Sequence, residues 1–141
     1  IEQAERDMAL AGGHGGIVVP PDAVIASRHG LALCEAAVTL ARRAGATAIV
    51  AVTKKGMTPR VLAALRPASR IIAATPNPQT AARLELVWGV TPMLTPAATL
   101  PAVREMLLAR ALVPVGETIV FVAMHAGLGQ EADNFLVVER M

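Results

Sequence analysis

The sequence predicts an α/β fold: a three-layer sandwich in which a five-stranded, mostly parallel sheet carries helices on both faces. Apolar runs rich in β-branched residues at 48–52, 71–75 and 118–124 are typical of buried strands. Helical patterns lie between them, and strands that alternate with helices form right-handed crossovers. The core must be aliphatic, since 54% of the residues are hydrophobic and only 2% are aromatic. Such small side chains suit helices packed on a buried parallel sheet.

The expected elements cover most of the chain. We predict helices at 1–10, 29–44, 58–65, 78–87 (with Asn77 as its N-cap) and 100–112, and strands at 48–52, 71–75, 90–94, 118–124 and 135–139. Residues 17–27 should be extended or irregular, because Pro20 and Pro21 disfavour helical backbone. We therefore expect an N-terminal helix and linker over residues 1–27 and an α/β domain over residues 28–141.

The order of the strands decides where a ligand can bind. Residues 125–134 are too few for a helical crossover, so the fifth strand should return antiparallel. We expect the order 3-2-1-4-5, in which the first and fourth strands are neighbours. Ligands of open sheets bind beyond the carboxyl ends of the strands. The loops at 53–58 and 125–134 should therefore meet there and form one site.

The polar loop after the first strand has the features of a phosphate-binding loop. A helix begins directly after it, with Thr58 as the expected N-cap and Pro59 as the first helical residue. A helix N-terminus offers unpaired N–H groups, and lysines add charge-assisted hydrogen bonds. The predicted phosphate ligands are Thr53, Lys54, Lys55, Gly56 and Thr58. The competing interpretation is a solvated turn whose lysines only aid solubility.

Composition and charge exclude several classes of protein. The net charge of +2 is too small for a nucleic-acid footprint. The single cysteine, Cys34, rules out an internal disulfide framework, fits a reducing compartment, and lies on an apolar helix face as a core residue. Apolar runs are shorter than the ~20 residues that span a bilayer, and no signal peptide is evident. We expect a cytoplasmic protein and, because the chain begins with Ile1, a piece of a longer one.

Isolated histidines and the single tryptophan have weaker interpretations. His125 could be a ligand or a general base, but a lone loop histidine is more often simply exposed. Trp88 is expected to pack against the core. His14 and His29 have no acidic or cysteine neighbours at metal-ligand spacing, so no metal site is predicted. No set of nucleophile, base and orienting residue can be assembled, which argues against catalysis by this chain.

Several short motifs, taken in order, resemble the C-terminal α/β domain of pyruvate kinase. They are Ala-Ile-Val-Ala-Val-Thr (48–53), Gly-Met-Thr-Pro-Arg (56–60), Leu-Arg-Pro (65–67), Ile-Ile-Ala-Ala-Thr-Pro-Asn (71–77) and Leu-Val-Trp-Gly-Val (86–90). The tail resembles the last hairpin of that domain, with Gly116 and Glu117 before Ile-Val-Phe-Val-Ala (119–123) and Asn134 before the closing strand. The resemblance extends from about His29 to the end.

The resemblance implies an allosteric module of a glycolytic enzyme. In many pyruvate kinases the loop that matches residues 53–58, which includes Met57, binds a phosphate of a sugar-phosphate effector. The last hairpin loop closes over the same ligand, which makes His125, Gly127, Gly129 and Asn134 candidate contacts. The domain also contributes to subunit contacts, so a homo-oligomer is expected, with neither nucleic acid nor membrane as a partner.

Catalysis in that family belongs to a separate β/α barrel. Nothing in this chain matches the barrel's metal-binding carboxylates, its substrate-binding lysine or its potassium site. The resemblance therefore implies that magnesium and potassium would belong to the barrel and that this chain holds no cofactor. The chain would be part of, or derived from, an enzyme that transfers phosphate from phosphoenolpyruvate to ADP, and alone it should not do so.

Two features bear on the effector. Glu131 and Asp133 would repel a second phosphate. The segment between Met93 and Leu100 also lacks the tryptophan that bisphosphate-responsive members often carry. We expect one phosphate, with Arg104 as the candidate for any second contact. Three functions stay open: a regulatory domain of a pyruvate kinase-like enzyme, a free-standing phosphometabolite-binding module, and a structural or oligomerisation domain with a dead effector site.

Overall fold

A computed structural model describes residues 21–124 and 134–141. The helices in this part of the chain are α1 (Pro21–Ala44), α2 (Met57–Leu65), α3 (Pro78–Leu84) and α4 (Leu100–Ala109). The strands are β1 (Ala48–Val52), β2 (Arg70–Thr75), β3 (Val90–Leu94), β4 (Thr118–Ala123) and β5 (Phe135–Arg140). Strands and helices alternate up to β4, as the sequence predicts.

The five strands form one sheet in the order β3-β2-β1-β4-β5. The pairs β1–β2, β1–β4 and β2–β3 are parallel, and β4–β5 is antiparallel. The predicted fold class, strand order and antiparallel fifth strand are confirmed. Val52, the last residue of β1, lies opposite Ala74 of β2 and Ala123 of β4. The chain therefore leaves β1, β2 and β4 at the same edge of the sheet.

Each face of the sheet carries its own aliphatic core. Helices α1, α2 and α3 cover one face, where Cys34, Leu62 and Leu84 pack with strand residues such as Ile49. Helix α4 covers the other face through Val103 and Leu107, together with Val50, Val52 and Phe121. Burial of one such leucine contributes about 1.5–3 kcal/mol. The two cores fix the edge of the sheet from which the polar loops emerge.

The start of α1 differs from the prediction. Residues 21–27 were expected to be extended or irregular, but α1 begins at Pro21 and runs for 24 residues. Proline fits the first helical position, because the N–H group it lacks has no partner there. Helix α1 thus passes through the predicted division at residue 27, which itself stays a prediction. The predicted helix at 1–10 lies outside the described residues.

Two helices end earlier than their apolar patterns indicated. Helix α3 ends at Leu84 instead of near residue 87, and α4 ends at Ala109 instead of residue 112. After α4 the backbone at Ala111 turns to φ 50°. The bounds of β1 and β3 match the prediction, and the other strand bounds differ by one residue. None of the described helices combines the length and the apolar character needed to cross a membrane.

Candidate functional site

A buried threonine closes the loop that follows β1. The amide of Thr53 donates to the carbonyl of Ala74 at 2.9 Å, which extends the sheet by one residue. The hydroxyl of Thr53 then accepts a hydrogen bond from the amide of Gly56 at 2.8 Å. The side chain of Thr53 is therefore part of the turn itself, and it is not turned towards solvent: only 6% of the residue is exposed.

Gly56, and not Thr58, is the N-cap of α2. Gly56 has φ 88° and ψ 9°, and no side chain in the described part of the chain caps the helix. Because the left-handed backbone at Gly56 lets the helix begin at Met57, Thr58 falls inside the first turn, where it is buried. The predicted capping role of Thr58 is therefore wrong. Pro59, predicted as the first helical residue, is the third, still within the turn whose N–H groups have no helical partner.

The outward side of this loop is open and cationic. Lys54 and Lys55 are exposed, and so is Met57, with 63% of its surface accessible. The first turn of α2 contains no acidic residue to neutralise the positive end of its dipole. Two ammonium groups beside an uncapped helix start form an arrangement that favours an anion such as phosphate. Lys54 and Lys55 therefore lie on the exposed side of the loop, whereas Gly56 is buried, and phosphate binding by these residues stays a prediction.

The inward side of the loop is held by two neighbouring helices. The hydroxyl of Thr80, in α3, donates to the carbonyl of Lys54 at 2.8 Å. Beneath α2, the thiol of Cys34 points at the carbonyl of Thr58, 3.9 Å away. Burial, with a smaller contribution from the charge of Glu35, raises the pKa of Cys34 to about 12. The prediction that Cys34 is a core residue is confirmed. Sequence reasoning missed Thr80, since its position in a helix pattern gave no sign of this contact.

The predicted second loop begins beside the first. Ala123 ends β4 opposite Val52, so the chain leaves β4 next to the point where it leaves β1. Asn134 lies immediately before β5 and is exposed. His125, Gly127 and Gly129 lie outside the described residues. Their contacts with a ligand remain predictions.

Arg104 lies in α4, on the face of the sheet opposite to α2. Its Nη1 atom is 3.2 Å from Oε2 of Glu139, an ion pair that lacks hydrogen-bond alignment. Glu139 pairs with Ile119 at the amino end of β4, whereas the 53–56 loop follows the carboxyl end of β1. Nothing in the described residues brings Arg104 to the loop, and its role as a second phosphate contact stays a prediction.

The expectation that Trp88 packs against the core is wrong. Trp88 is 83% exposed, and Leu86 is 89% exposed. Because α3 ends at Leu84, residues 85–89 form a turn in which Val87 packs inward and its neighbours face outward. His29 is exposed as well. Within residues 21–124 and 134–141, no three histidine, cysteine or acidic side chains gather as a metal site would require.

These features define a doubly wound α/β domain with an exposed, lysine-bearing loop at the carboxyl edge of its sheet. Residues 31–139 match the family model described as the pyruvate kinase alpha/beta domain. The chain therefore belongs to the pyruvate kinase alpha/beta domain family, as the resemblance in its motifs indicated.

The relatives and solved structures described next are longer than this chain. A pyruvate kinase of Staphylococcus saprophyticus is 51% identical over 47 residues, which cover 33% of this chain and 8% of that protein. Pyruvate kinase 2 of Synechocystis is 37% identical over 78 residues, 54% of this chain and 13% of that protein. The crystal structure of Cryptosporidium parvum pyruvate kinase superposes with a TM-score of 0.66 at 23% identity, over 79% of this chain and 22% of that one. The chain spans only a small part of each.

Proposed function

We propose that this chain is the regulatory C-terminal domain of a pyruvate kinase-like glycolytic enzyme. Its 53–58 loop binds the phosphate of a phosphorylated effector, and the domain contributes to subunit contacts. On this proposal the chain acts through an attached catalytic unit and transfers no phosphate itself. Family membership supports the assignment to a pyruvate kinase-like enzyme, and the geometry of the loop supports a phosphorylated ligand.

The observation that carries the proposal is the uncapped start of α2 directly after two exposed lysines. Gly56 supplies no capping side chain, so the amides of Met57 and Thr58, the first two residues of α2, have no partner within the helix. Lys54 and Lys55 project from the same turn into solvent. A phosphate oxygen can accept from such amides while the ammonium groups balance its charge. Because the loop follows the central strand, the rigid sheet fixes its position.

The edge strand β5 supports the proposal of subunit contacts. It is the outermost strand beside β4, and no further strand of the described residues pairs with it. Residues 135–137 are half-buried and Val138 is 43% exposed, so the edge presents apolar side chains in a six-residue strand without proline. Open edges of this kind can pair with another chain. Sedimentation should show concentration-dependent association, and a monomer at high concentration would contradict this part of the proposal.

The test of phosphate binding is a thermal-shift titration of the full chain with inorganic phosphate, sugar phosphates and nucleotides. A ligand that binds only the folded state raises the melting temperature as its concentration passes the dissociation constant. We expect selective shifts with phosphorylated compounds. Replacing both Lys54 and Lys55 by alanine should weaken binding about tenfold or more, because charge-assisted hydrogen bonds contribute about 1.5–3 kcal/mol each. Stability without ligand should change by less than ~0.5 kcal/mol.

Arg42 and Arg43 provide a matched control. They are adjacent, exposed and in the last turn of α1, at the opposite edge of the sheet. Changing both to alanine removes the same charge and should leave the affinity unchanged. Equal losses in the two double variants would show a nonspecific effect of net charge. A flat response of the unmodified chain to every compound would favour a structural domain with a dead effector site.

A further inference from the structure

We infer that Thr80 is a positioning residue for the phosphate loop: its hydroxyl holds the Lys54 carbonyl and so keeps the loop in the shape that receives an anion. The inference rests on the proposed function of that loop. It adds a residue that lies outside the loop, in α3, the second helix after it.

Thr80 contacts the loop in two ways. Its hydroxyl donates to the Lys54 carbonyl at 2.8 Å. Its methyl carbon lies 3.2 Å from the point where a Cβ atom on Gly56 would stand. Thr80 is only 5% exposed, and its hydrogen bond to Lys54 is part-buried. One side chain thus fixes the carbonyl at the start of the turn and packs against the glycine at its end.

The position of Thr80 is itself fixed by the helix cap. The side chain of Asn77 accepts hydrogen bonds from the amides of Gln79 and Thr80, at 2.9 and 3.4 Å. This cap therefore fixes the first turn of α3, from which the side chain of Thr80 contacts Lys54. The turn is thus held by two hydroxyl groups: that of Thr53 accepts from the Gly56 amide, and that of Thr80 donates to the Lys54 carbonyl. Within the described residues no hydrogen bond or ion pair holds the side chains of Lys54 and Lys55, so the loop backbone sets where they emerge.

The consequence concerns the direction in which the amides face. The carbonyl of Lys54 and the amide of Lys55 belong to one planar peptide group, so a bond to the carbonyl also orients the N–H. Loss of the Thr80 hydroxyl frees that peptide group to rotate. Binding then has to restore its orientation, which lowers the affinity for the anion.

The hydroxyl and the methyl group of Thr80 can be separated by substitution. Thr80→Val keeps the methyl groups and removes the hydroxyl, whereas Thr80→Ser keeps the hydroxyl and removes the methyl. Thr95→Val is the matched control: Thr95 is equally buried, with 2% exposed, and its hydroxyl bonds to Ala97 in the loop after β3. All variants are made in the full chain, and Thr80→Ala serves if Thr80→Val does not fold.

Two readouts test the inference. Trypsin cuts after lysine, so cleavage after Lys54 and Lys55 reports opening of the loop without any ligand. We expect cleavage to be about fivefold faster in Thr80→Val and near the original rate in Thr80→Ser and Thr95→Val. Affinity for the phosphorylated compound with the largest thermal shift, or for inorganic phosphate, should fall about five- to tenfold in Thr80→Val alone.

The outcomes separate this inference from the proposed function. If the unmodified chain binds no phosphorylated compound, the proposed function fails, and the trypsin comparison still decides whether Thr80 holds the loop. If the chain binds but Thr80→Val and Thr80→Ser have equal affinity, the positioning role is overturned and phosphate binding stands. Equal cleavage after Lys54 and Lys55 in those two variants would also overturn it.

Discussion

Two loops of this domain leave the sheet in the same way and then begin their helices differently. After β1, the Thr53 hydroxyl accepts from the Gly56 amide at 2.8 Å. After β2, the Thr75 hydroxyl accepts from the Asn77 amide at 3.2 Å. The side chain of Asn77 then caps α3 by accepting from two amides, whereas Gly56 caps α2 with no side chain at all. The first loop therefore leaves open a helix start that the second loop closes for itself.

The difference indicates which loop can serve a ligand. A helix start that is already capped has fewer amides to offer, and the loop before α3 contains no lysine or arginine. The cap of α4, Thr99, also makes no side-chain bond, but residues 95–99 contain no cation either. Of these three helix starts, the one before α2 combines open amides with positive charge. The comparison thus separates a loop that stabilises the fold from a loop suited to bind an anion.

The largest predicted effect concerns the closed, inward side of α2. A thiol with a pKa of about 12 carries, at neutral pH, roughly a thousandth of the thiolate that a thiol at 9.0 carries. Cys34 should therefore react with a disulfide reagent at least about a hundredfold more slowly in the folded chain than in urea. The measurement is the rate of thiol modification at pH 8. Equal rates in both states would mean that the inward side of α2 is open.

The same thiol makes a pH-dependent contribution to stability. Its pKa is raised on folding from the ordinary value of 9.0, so its contribution is fully present below pH 9 and is lost as the pH rises towards 12. The difference in unfolding free energy between the unmodified chain and Cys34→Ala should shrink over that interval. Lysine titration is common to both proteins and cancels in the difference. A difference independent of pH would contradict the prediction.

The next effect tests why the start of α2 carries glycine. Gly56→Ala places a Cβ atom 3.2 Å from the methyl group of Thr80, on a backbone with φ 88°. We expect a loss of about 2–4 kcal/mol from the left-handed backbone and the contact together. Gly116→Ala is the control, because Gly116 has φ 93° and nothing within 4 Å of its added Cβ. Gly116→Ala should lose only about 1–2 kcal/mol of unfolding free energy, measured in urea. Equal losses in the two variants would show that the contact with Thr80 contributes nothing to the cost of Gly56→Ala.

Most of the fold could be predicted because it depends on patterns that repeat along the chain. The apolar strands β1 and β3 were placed with their observed bounds, and the short connection before β5 gave its antiparallel direction. The cap at Asn77 was also recognised, since asparagine followed by proline is a strong start signal. These features are local in sequence, so they could be read without tertiary structure.

The site was predicted less completely because it depends on contacts between distant segments. The cap of α2 was assigned to Thr58, since threonine before proline carries the same kind of start signal. The left-handed backbone of Gly56 moved the helix start, and the contact of Thr80 with Lys54 joins residues 26 apart in sequence. Trp88 was misjudged because a short α3 turned it outward. No periodic pattern contains this information.

The smallest effect tests the comparison at the second loop. Asn77→Ala removes the hydrogen bonds to the amides of Gln79 and Thr80, and it should cost about 1 kcal/mol of unfolding free energy. Thr99→Ala is the matched change at a cap whose side chain makes no such bond, and it should cost only a few tenths of a kcal/mol. Urea unfolding of both variants measures the difference.

The starts of α2 and α3 should also differ in their response to phosphate. Asn77→Ala opens the start of α3 but adds no cation, so its stability should not rise with added phosphate more than that of the unmodified chain. If it did, open amides alone would suffice for an anion, and the lysines of the first loop would be unnecessary. If it does not, open amides alone are insufficient, as the proposed role of Lys54 and Lys55 requires.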